Sequence, residues 1–391
     1  MIPLLLAAKS LRAFADGFVA VLLPAYLLAL GHGQLQVGLL STVTLFGSAL
    51  ATLAVGRWGH RVALRGLLLG AALLMAATGL GFAALSSLWP LLAVAFVGTL
   101  NPSSGDVSVF LPLEHTVLAA AAPLQSRTAI FARYSFFGSL FAALGALGAA
   151  IPDGLVGRFG LQPVDAMRAM FVLYAGIGLA VWFLYLRLPQ LRPEETAPVA
   201  PLGPSRGIVW KMAALFSVDS FAGGLLVNSL LALWLFERFG MTLTAAGAFF
   251  FWTGLLGAAS QLAAPLLARR IGLVNTMVFT HIPASLCLIG AAFAPRLDAA
   301  LALLLVRSAL SQMDVPARGA FVMSVVTPAE RPAAASFTAV PRSLASAAGP
   351  SLSGVLFAAG AMAAPLVACG ALKIAYDLAL YVAFRKVAPK A

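Results

Sequence analysis

NPSSGDVSVFLPLEH occupies residues 101–115 and carries two carboxylates within a run that is otherwise apolar enough to cross a bilayer. The acids are Asp106 and Glu114, and His115 follows directly. A charged side chain near the centre of a membrane costs about 2.5–3.5 kcal/mol on insertion scales, so it persists where it faces a partner or a water-filled cavity. The stretch therefore predicts a membrane helix whose acids have a function beyond anchoring it.

The same pattern returns later in the chain. GDV at 105–107 reappears as MDV at 313–315, within RSALSQMDVPAR. Three pairs of charged residues recur at offsets between 203 and 209: Asp16 and Asp219, Asp106 and Asp314, Arg133 and Arg342. A consistent offset of this kind indicates two halves related by a parallel repeat, with functional groups near the middle of the membrane.

The composition sets the class of protein. Of the 391 residues, 61% are hydrophobic and only 10% are charged, and the mean hydropathy is +0.98. A soluble protein needs a larger charged fraction, roughly a quarter of its residues. Apolar stretches of about 20 residues, the length that spans a hydrocarbon core of about 30 Å, recur about twelve times. The sequence therefore predicts an all-α integral membrane protein with about 12 transmembrane helices in two pseudo-symmetric six-helix bundles.

A polar segment separates the two predicted bundles. RLPQLRPEETAPVAPLGPSR, residues 187–206, is rich in proline and charge and lies near the middle of the chain. Such a composition is typical of an extended linker. We therefore expect an N-terminal bundle over 1–186, a cytoplasmic linker over 187–206 and a C-terminal bundle over 207–391.

The basic residues are distributed over short loops. The net charge is +12, but no basic cluster forms a soluble domain that would bind nucleic acid, so we interpret the charge as an orientation signal. Lysine and arginine concentrate in the loops of one side, which predicts that both termini are cytoplasmic, in a bacterial inner membrane. Cys287 and Cys369 fall inside apolar runs and indicate no disulfide framework.

Buried acids and basic partners are the candidate functional residues. The candidates for transport and proton coupling are Asp16, Asp219, Asp106, Asp314 and Glu114. Their candidate charge partners are Arg12, Arg307, Arg318, Arg133 and Arg342. Burial disfavours the charged form of a carboxyl group, whereas a nearby guanidinium favours it. Competition between the arginine and a proton or substrate for the carboxylate would therefore couple transport to a proton.

Spacing along single helices predicts some of the partners. Arg12 and Asp16 are four residues apart and share a helix face, and the same spacing separates Lys373 from Asp377. One helical stripe holds three further residues: Arg307, Asp314 and Arg318.

Other polar and aromatic residues of the spans are candidates for the lining of a substrate cavity. They are Gln312, Asn101, Tyr134, Phe136, Trp234, Trp252 and His281. Charges of both signs beside aromatic rings suit a small organic molecule.

GRWGHRVALR, residues 56–65, resembles the loop between the second and third helices of the major facilitator superfamily, G-x-x-x-D-R-x-G-R-R. Arg57, Gly59 and Arg61 match in order, while Gly56 stands where the family usually has aspartate. Thr99 stands where many drug-exporting members carry arginine in the fourth helix. The resemblance covers the chain in topology and repeat. It implies two halves that meet along a pseudo-two-fold axis and transport by alternating access.

The resemblance implies a secondary transporter of a small organic solute, with protons as the coupling ion. The glycine and proline faces of spans five and eleven favour export over uptake. We expect a monomer surrounded by lipid, without a cofactor or a metal site. We expect no enzymatic activity, because the sequence contains no Gly-rich phosphate loop, zinc-site spacing or G-x-S-x-G element.

Three other functions stay open. The acids and histidines suggest divalent metal export, and the same fold could flip a lipid or lysolipid. A remote third is an intramembrane aspartyl protease that uses Asp106 and Asp314.

Overall fold

The structure is a computed structural model that describes residues 1–59, 62–103, 108–121, 127–190, 202–327 and 330–385. Its described residues form helices and loops, with no strand among them. Asp106, one of the candidate acids, lies outside the described residues.

The helices are numbered in chain order. Those before the predicted linker are α1 (Ile2–Ala29), α2 (Gln34–Trp58), α3 (Leu64–Ala84), α4 (Leu88–Val97), α5 (Phe110–Ala121), α6 (Arg127–Gly148), α7 (Ile151–Phe159) and α8 (Pro163–Leu186). Those after it are α9 (Arg206–Gly224), α10 (Asn228–Phe239), α11 (Leu243–Ile271), α12 (Leu273–Phe293), α13 (Leu297–Ser311), α14 (Asp314–Val325), α15 (Arg331–Ala358) and α16 (Ala364–Phe384).

Ten helical segments within the described residues are long and apolar enough to cross a membrane. Three of these combine two consecutive helices: α6 with α7, α9 with α10, and α13 with α14. The fourth predicted span is divided into α4 and α5, and the eleventh is the 28-residue α15. The prediction of an all-α, multi-pass membrane protein is therefore confirmed.

The chain divides into two compact units. Unit 1 consists of Met1–Glu195 and Val227–Phe251, and unit 2 consists of Thr196–Leu226 and Trp252–Ala391. Helix α9 therefore belongs to unit 2 and α10 to unit 1, although they lie in one predicted span. The predicted division into 1–186, 187–206 and 207–391 stays a prediction.

Within unit 1, α1 and α6 pack closely through glycines. A Cβ atom on Gly17 would lie 2.1 Å from the Ala142 carbonyl oxygen, and one on Gly145 would lie 2.0 Å from the Phe14 carbonyl oxygen. No side chain fits at either position, so the two backbones approach as closely as small residues allow.

Within unit 2, α9 and α15 repeat this contact. A Cβ on Gly224 would lie 2.2 Å from the Ser346 carbonyl oxygen, and one on Gly349 would lie 2.3 Å from the Gly224 carbonyl carbon. These glycines follow Gly17 and Gly145 at offsets of 207 and 204 residues. The repeat inferred from charged residues therefore extends to helix packing.

An aromatic core fixes the helices of unit 2 that carry its charged side chains. Phe321 of α14 packs against Phe384 of α16, with ring centroids 5.4 Å apart. Phe216 of α9 lies 6.4 Å from Tyr376 of α16. All four rings are buried. Because this apolar packing holds α9, α14 and α16 together, it also sets the distances between the charged groups on them.

The start of α9 is tied to the turn before α15. Glu330 is buried, and its Oε1 accepts hydrogen bonds from the backbone N–H groups of Gly203 at 2.5 Å and Ser205 at 3.3 Å. The Thr327 hydroxyl donates to its Oε2 at 2.5 Å. A carboxylate at this position satisfies N–H groups that the helix itself leaves unpaired.

Candidate functional site

A cluster of charged side chains lies inside unit 2, around Asp219 of α9. Asp219 is 4% exposed and accepts hydrogen bonds from the Lys373 Nζ of α16 at 2.7 Å and from the Arg318 guanidinium of α14 at 2.9 Å. Arg318 also donates to Asp314, four residues earlier on α14. Two cations from different helices therefore share one buried carboxylate.

His281 of α12 extends this cluster to a further acid. Its Nε2 lies 3.3 Å from the Lys373 Nζ and 4.0 Å from the Asp219 Oδ1, and its Nδ1 lies 3.1 Å from the Asp377 Oδ1 of α16. An ammonium group can only donate, so a neutral His281 accepts at Nε2 and carries its proton on Nδ1, which donates to Asp377. The groups form one hydrogen-bonded chain: Asp377, His281, Lys373, Asp219, Arg318 and Asp314.

Burial makes this hydrogen-bonded cluster sensitive to the gain or loss of a proton. Asp377 is fully buried, and His281 and Asp314 are each 4% exposed. A buried charge that loses its partner is strongly destabilised, because water cannot replace the lost interaction. A proton gained by any of these side chains must therefore change the hydrogen-bond partners of the neighbouring side chains.

Unit 1 contains a second buried cluster, around Glu114 of α5. Glu114 is fully buried and accepts hydrogen bonds from Arg12 of α1, from the Tyr134 hydroxyl of α6 and, at 2.6 Å, from the Tyr185 hydroxyl of α8. The Arg12 guanidinium also lies 4.0 Å from the centroid of the Phe110 ring. This carboxylate joins four helices and is well supplied with donors, which suits a structural role.

The structure departs from one helix-spacing prediction and adds a partner to another. Lys373 makes no ion pair with Asp377, because its ammonium reaches Asp219 and His281 on neighbouring helices instead. Arg12 pairs with Glu114, a partner that its spacing from Asp16 did not reveal. Asp16 is half-buried and lies near Arg12.

The predicted stripe on span ten is interrupted. Helix α13 ends at Ser311 and α14 begins at Asp314, so Arg307 and Arg318 lie on different helices. Arg318 bonds to Asp314, whereas Arg307 is half-buried on α13.

The remaining predicted lining residues lie in varied surroundings. Asn101 is buried, and its Oδ1 accepts from the backbone N–H and hydroxyl of Ser103. Gln312 accepts from the Gln261 side chain at 3.3 Å. Trp234 is fully buried. Phe136 and Trp252 are exposed at the surface of the described chain, as is Arg133, one of the candidate charge partners.

Membrane-spanning helices with ion-paired, hydrogen-bonded charges in their interior are typical of membrane transport proteins, in which intramembrane ionisable groups mark substrate and ion pathways. A family model of the Major Facilitator Superfamily matches residues 5–313. The chain belongs to this superfamily.

A curated relative matches the whole chain. The uncharacterized membrane protein YJR124C of Saccharomyces cerevisiae is 26% identical over 429 residues, which cover 100% of this chain and 95% of that protein.

Two solved structures show the fold. The nucleoside transporter NupG has a TM-score of 0.74 at 14% identity, with 98% of this chain and 99% of that chain covered. The inward open xylose transporter XylE from E. coli has a TM-score of 0.74 at 15% identity, with 100% and 97% covered. Family and fold together support a secondary transporter of a small solute.

Proposed function

We propose that this protein is a proton-coupled secondary transporter of a small organic solute, with His281, Lys373 and Asp219 as its coupling site. The observation that carries the proposal is the position of the Lys373 ammonium, which donates to Asp219 at 2.7 Å and lies 3.3 Å from the His281 Nε2. The imidazole of His281 can bind one further proton at Nε2, and that proton alters both contacts.

In the neutral state, His281 accepts from Lys373 and donates to Asp377. Protonation turns Nε2 into a donor as well, which then faces the Lys373 ammonium with repulsion instead of a hydrogen bond. The nearest acceptor for this new N–H is the Asp219 Oδ1, 4.0 Å away. The proton therefore exchanges the partner of Asp219 from Lys373 to His281 and releases the Lys373 ammonium.

This exchange provides two states of unit 2 that differ by one proton. A solute that binds one of them more tightly than the other shifts their equilibrium, which is the requirement for coupled alternating access. Asp314 remains a candidate proton acceptor beside this site, and Asp16 remains one within unit 1. We further propose that the protein works as a monomer in a bacterial inner membrane, with cytoplasmic termini, and that export is the favoured direction.

The test uses purified protein in liposomes, with solutes first found by their effect on thermal unfolding. Flux of a bound solute is measured with and without a pH gradient in the wild type, in His281→Gln and in His32→Gln. His32 is the matched control because its Nε2 contacts only the Ser86 carbonyl oxygen among described residues, at 2.8 Å. We expect the pH gradient to drive flux in the wild type and in His32→Gln only. Gradient-driven flux of wild-type size in His281→Gln would overturn the proposal.

The alternatives gain no support from the described residues. Metal export needs a set of ligands, and within the described ranges no group of three or more His, Cys, Asp or Glu side chains is arranged to hold a metal ion. The protease alternative depends on Asp106, which lies outside them, and on Asp314, which is paired with Arg318.

A further inference from the structure

Unit 2 holds two half-buried arginines, Arg342 and Arg307, that pair with no carboxylate in the part of the chain that the structure describes. The other arginine of this region, Arg318, is bonded to both Asp219 and Asp314. Cations within membrane spans are costly unless a partner or water satisfies them, so these two call for an explanation.

Arg342 of α15 lies beside the coupling site. Its Nε donates to the Ser220 hydroxyl of α9 at 3.2 Å, while its terminal nitrogens bond to no described group. It is close enough to Asp219 and Asp314 to interact with them electrostatically, yet both acids are already bonded to Arg318. The free edge of this guanidinium is therefore available to another acceptor.

Arg307 of α13 is the second of these half-buried arginines. Arg307 and Lys373 both lie within electrostatic range of the Cys369 thiol on α16, which is fully buried. A thiol is a weak acceptor and does not replace a carboxylate. Arg307 therefore adds positive charge to unit 2 without adding an acid.

Among its described residues, unit 1 has no such surplus inside it. Arg12 is bonded to Glu114, and the Lys9 ammonium lies 5.2 Å above the Tyr134 ring. Arg133, which corresponds to Arg342 in the repeat, is exposed. The surplus of positive charge is thus a property of unit 2 and not of the repeat.

We propose that the transported solute is an organic anion, whose carboxylate or phosphate group binds at Arg342. A planar guanidinium donates two parallel hydrogen bonds to such groups, which gives both affinity and orientation. This inference rests on the proposed function, since the proton on His281 releases Lys373 and so adds a second cation for the anion. Proton and anion then bind together.

The test compares pairs of compounds that differ only in charge: benzoate with benzamide, succinate with succinamide, and glucose 6-phosphate with glucose. Binding is measured by thermal unfolding of the purified protein at pH 6 and pH 8. The variants are Arg342→Gln, Arg342→Lys and, as the control, Arg296→Gln. The Arg296 side chain is 77% exposed and is paired with Asp298.

We expect at least one anion to stabilise the wild type and Arg296→Gln, and its neutral counterpart to have no effect. Loss of the guanidinium in Arg342→Gln weakens binding about tenfold or more. Arg342→Lys keeps the charge and binds with intermediate affinity, which also serves if the glutamine variant does not fold. Stabilisation by neutral members alone, by no anion at all, or by an anion equally in all variants would refute the inference.

A further variant separates this inference from the proposed function. If anion binding depends on Arg342 but is equally pH-dependent in the wild type and in His281→Gln, the anion site stands and the coupling site fails. If His281→Gln abolishes gradient-driven solute flux while no anion binds to the wild type, the coupling site stands and the anion site fails.

Discussion

Arg318 of α14 donates to Asp219 of α9 at 2.9 Å. In the corresponding ion pair of unit 1, the arginine and the acid have exchanged helices. There the arginine, Arg12, comes from α1 and the acid, Glu114, from α5. Arg12 and Asp219 are 207 residues apart, and Glu114 and Arg318 are 204 apart, so the same two helices of the repeat are joined in each unit. Each unit therefore keeps an ion pair between these two helices, although the positions of the acid and the arginine are exchanged.

The two ion pairs differ in the groups that contact them, which leads to the first prediction. Glu114 is held by three donors and makes no contact with a second cation among those described. Glu114→Gln leaves Arg12 buried without its counter-charge, and we expect a loss of about 3 kcal/mol in the free energy of unfolding. Tyr185→Phe removes one neutral donor to a charged acceptor and costs about 1.5 kcal/mol.

Thermal unfolding in detergent measures both variants. A Glu114→Gln protein as stable as the wild type would contradict the structural role of this cluster. Unchanged stability with lost transport would instead assign Glu114 to the transport pathway.

Removal of Lys373 tests the coupling site from its other side. Lys373→Met leaves Asp219 bonded to Arg318 alone, so the proton on His281 no longer has a cation to displace. We expect solute flux to become independent of the pH gradient. The matched control is Lys211→Met, which removes an exposed lysine from α9, the helix that carries Asp219. Equal coupling in both variants would show that Lys373 takes no part.

Much of the fold could be predicted from the sequence, because hydrophobic length and repeated charges act locally. Twelve apolar stretches sufficed for the class of fold, and the offset of about 208 residues revealed the repeat. The glycine face of span five includes Gly145, which α1 approaches closely. The division of α9 and α10 between two units depends on tertiary contacts, which no local pattern reports.

The site was less accessible to prediction, because spacing along one helix reports only the neighbours on that helix. Lys373 and Asp377 have the spacing of a pair, yet Lys373 bonds to Asp219, 154 residues away. Likewise Arg12 bonds to Glu114, 102 residues away, and His281 bonds to Asp377, 96 residues away. The buried acids themselves were identified by the cost of burial, whereas their partners required the three-dimensional fold.

The Glu330 contact outside the membrane spans predicts a pH dependence of stability. Hydrogen bonds from Thr327 and Ser205 lower the pKa of the Glu330 carboxyl to about 2. An unfolded glutamate titrates near pH 4.3, so the folded state binds the proton less readily than the unfolded state. The stabilisation is therefore fully present above about pH 4.3 and is lost as the pH falls towards 2.

Glu330→Gln lacks this titration, which gives the measurement. We expect its Tm to lie below that of the wild type by a constant amount at pH 5 to 8, and the difference to shrink as the pH falls below about 4.3. Glu237→Gln is the control, since this exposed carboxylate accepts only from the Gln34 side chain at 2.9 Å within the described chain. A difference that stays constant down to pH 3 would refute the assignment to Glu330.

The close approach of α1 and α6 gives the last prediction. A Cβ on Gly145 would lie 2.0 Å from the Phe14 carbonyl oxygen, which is backbone and cannot turn away, so Gly145→Ala must push the two helices apart. We expect a loss of about 1–3 kcal/mol, the usual cost of overpacking. Gly176→Ala on α8 is the matched control, because nothing lies within 4 Å of a Cβ there, and alanine is the better helix former by about 1 kcal/mol. Thermal unfolding should therefore move in opposite directions for the two variants. If Gly145→Ala were neutral, α1 and α6 would have to be farther apart than their glycines indicate.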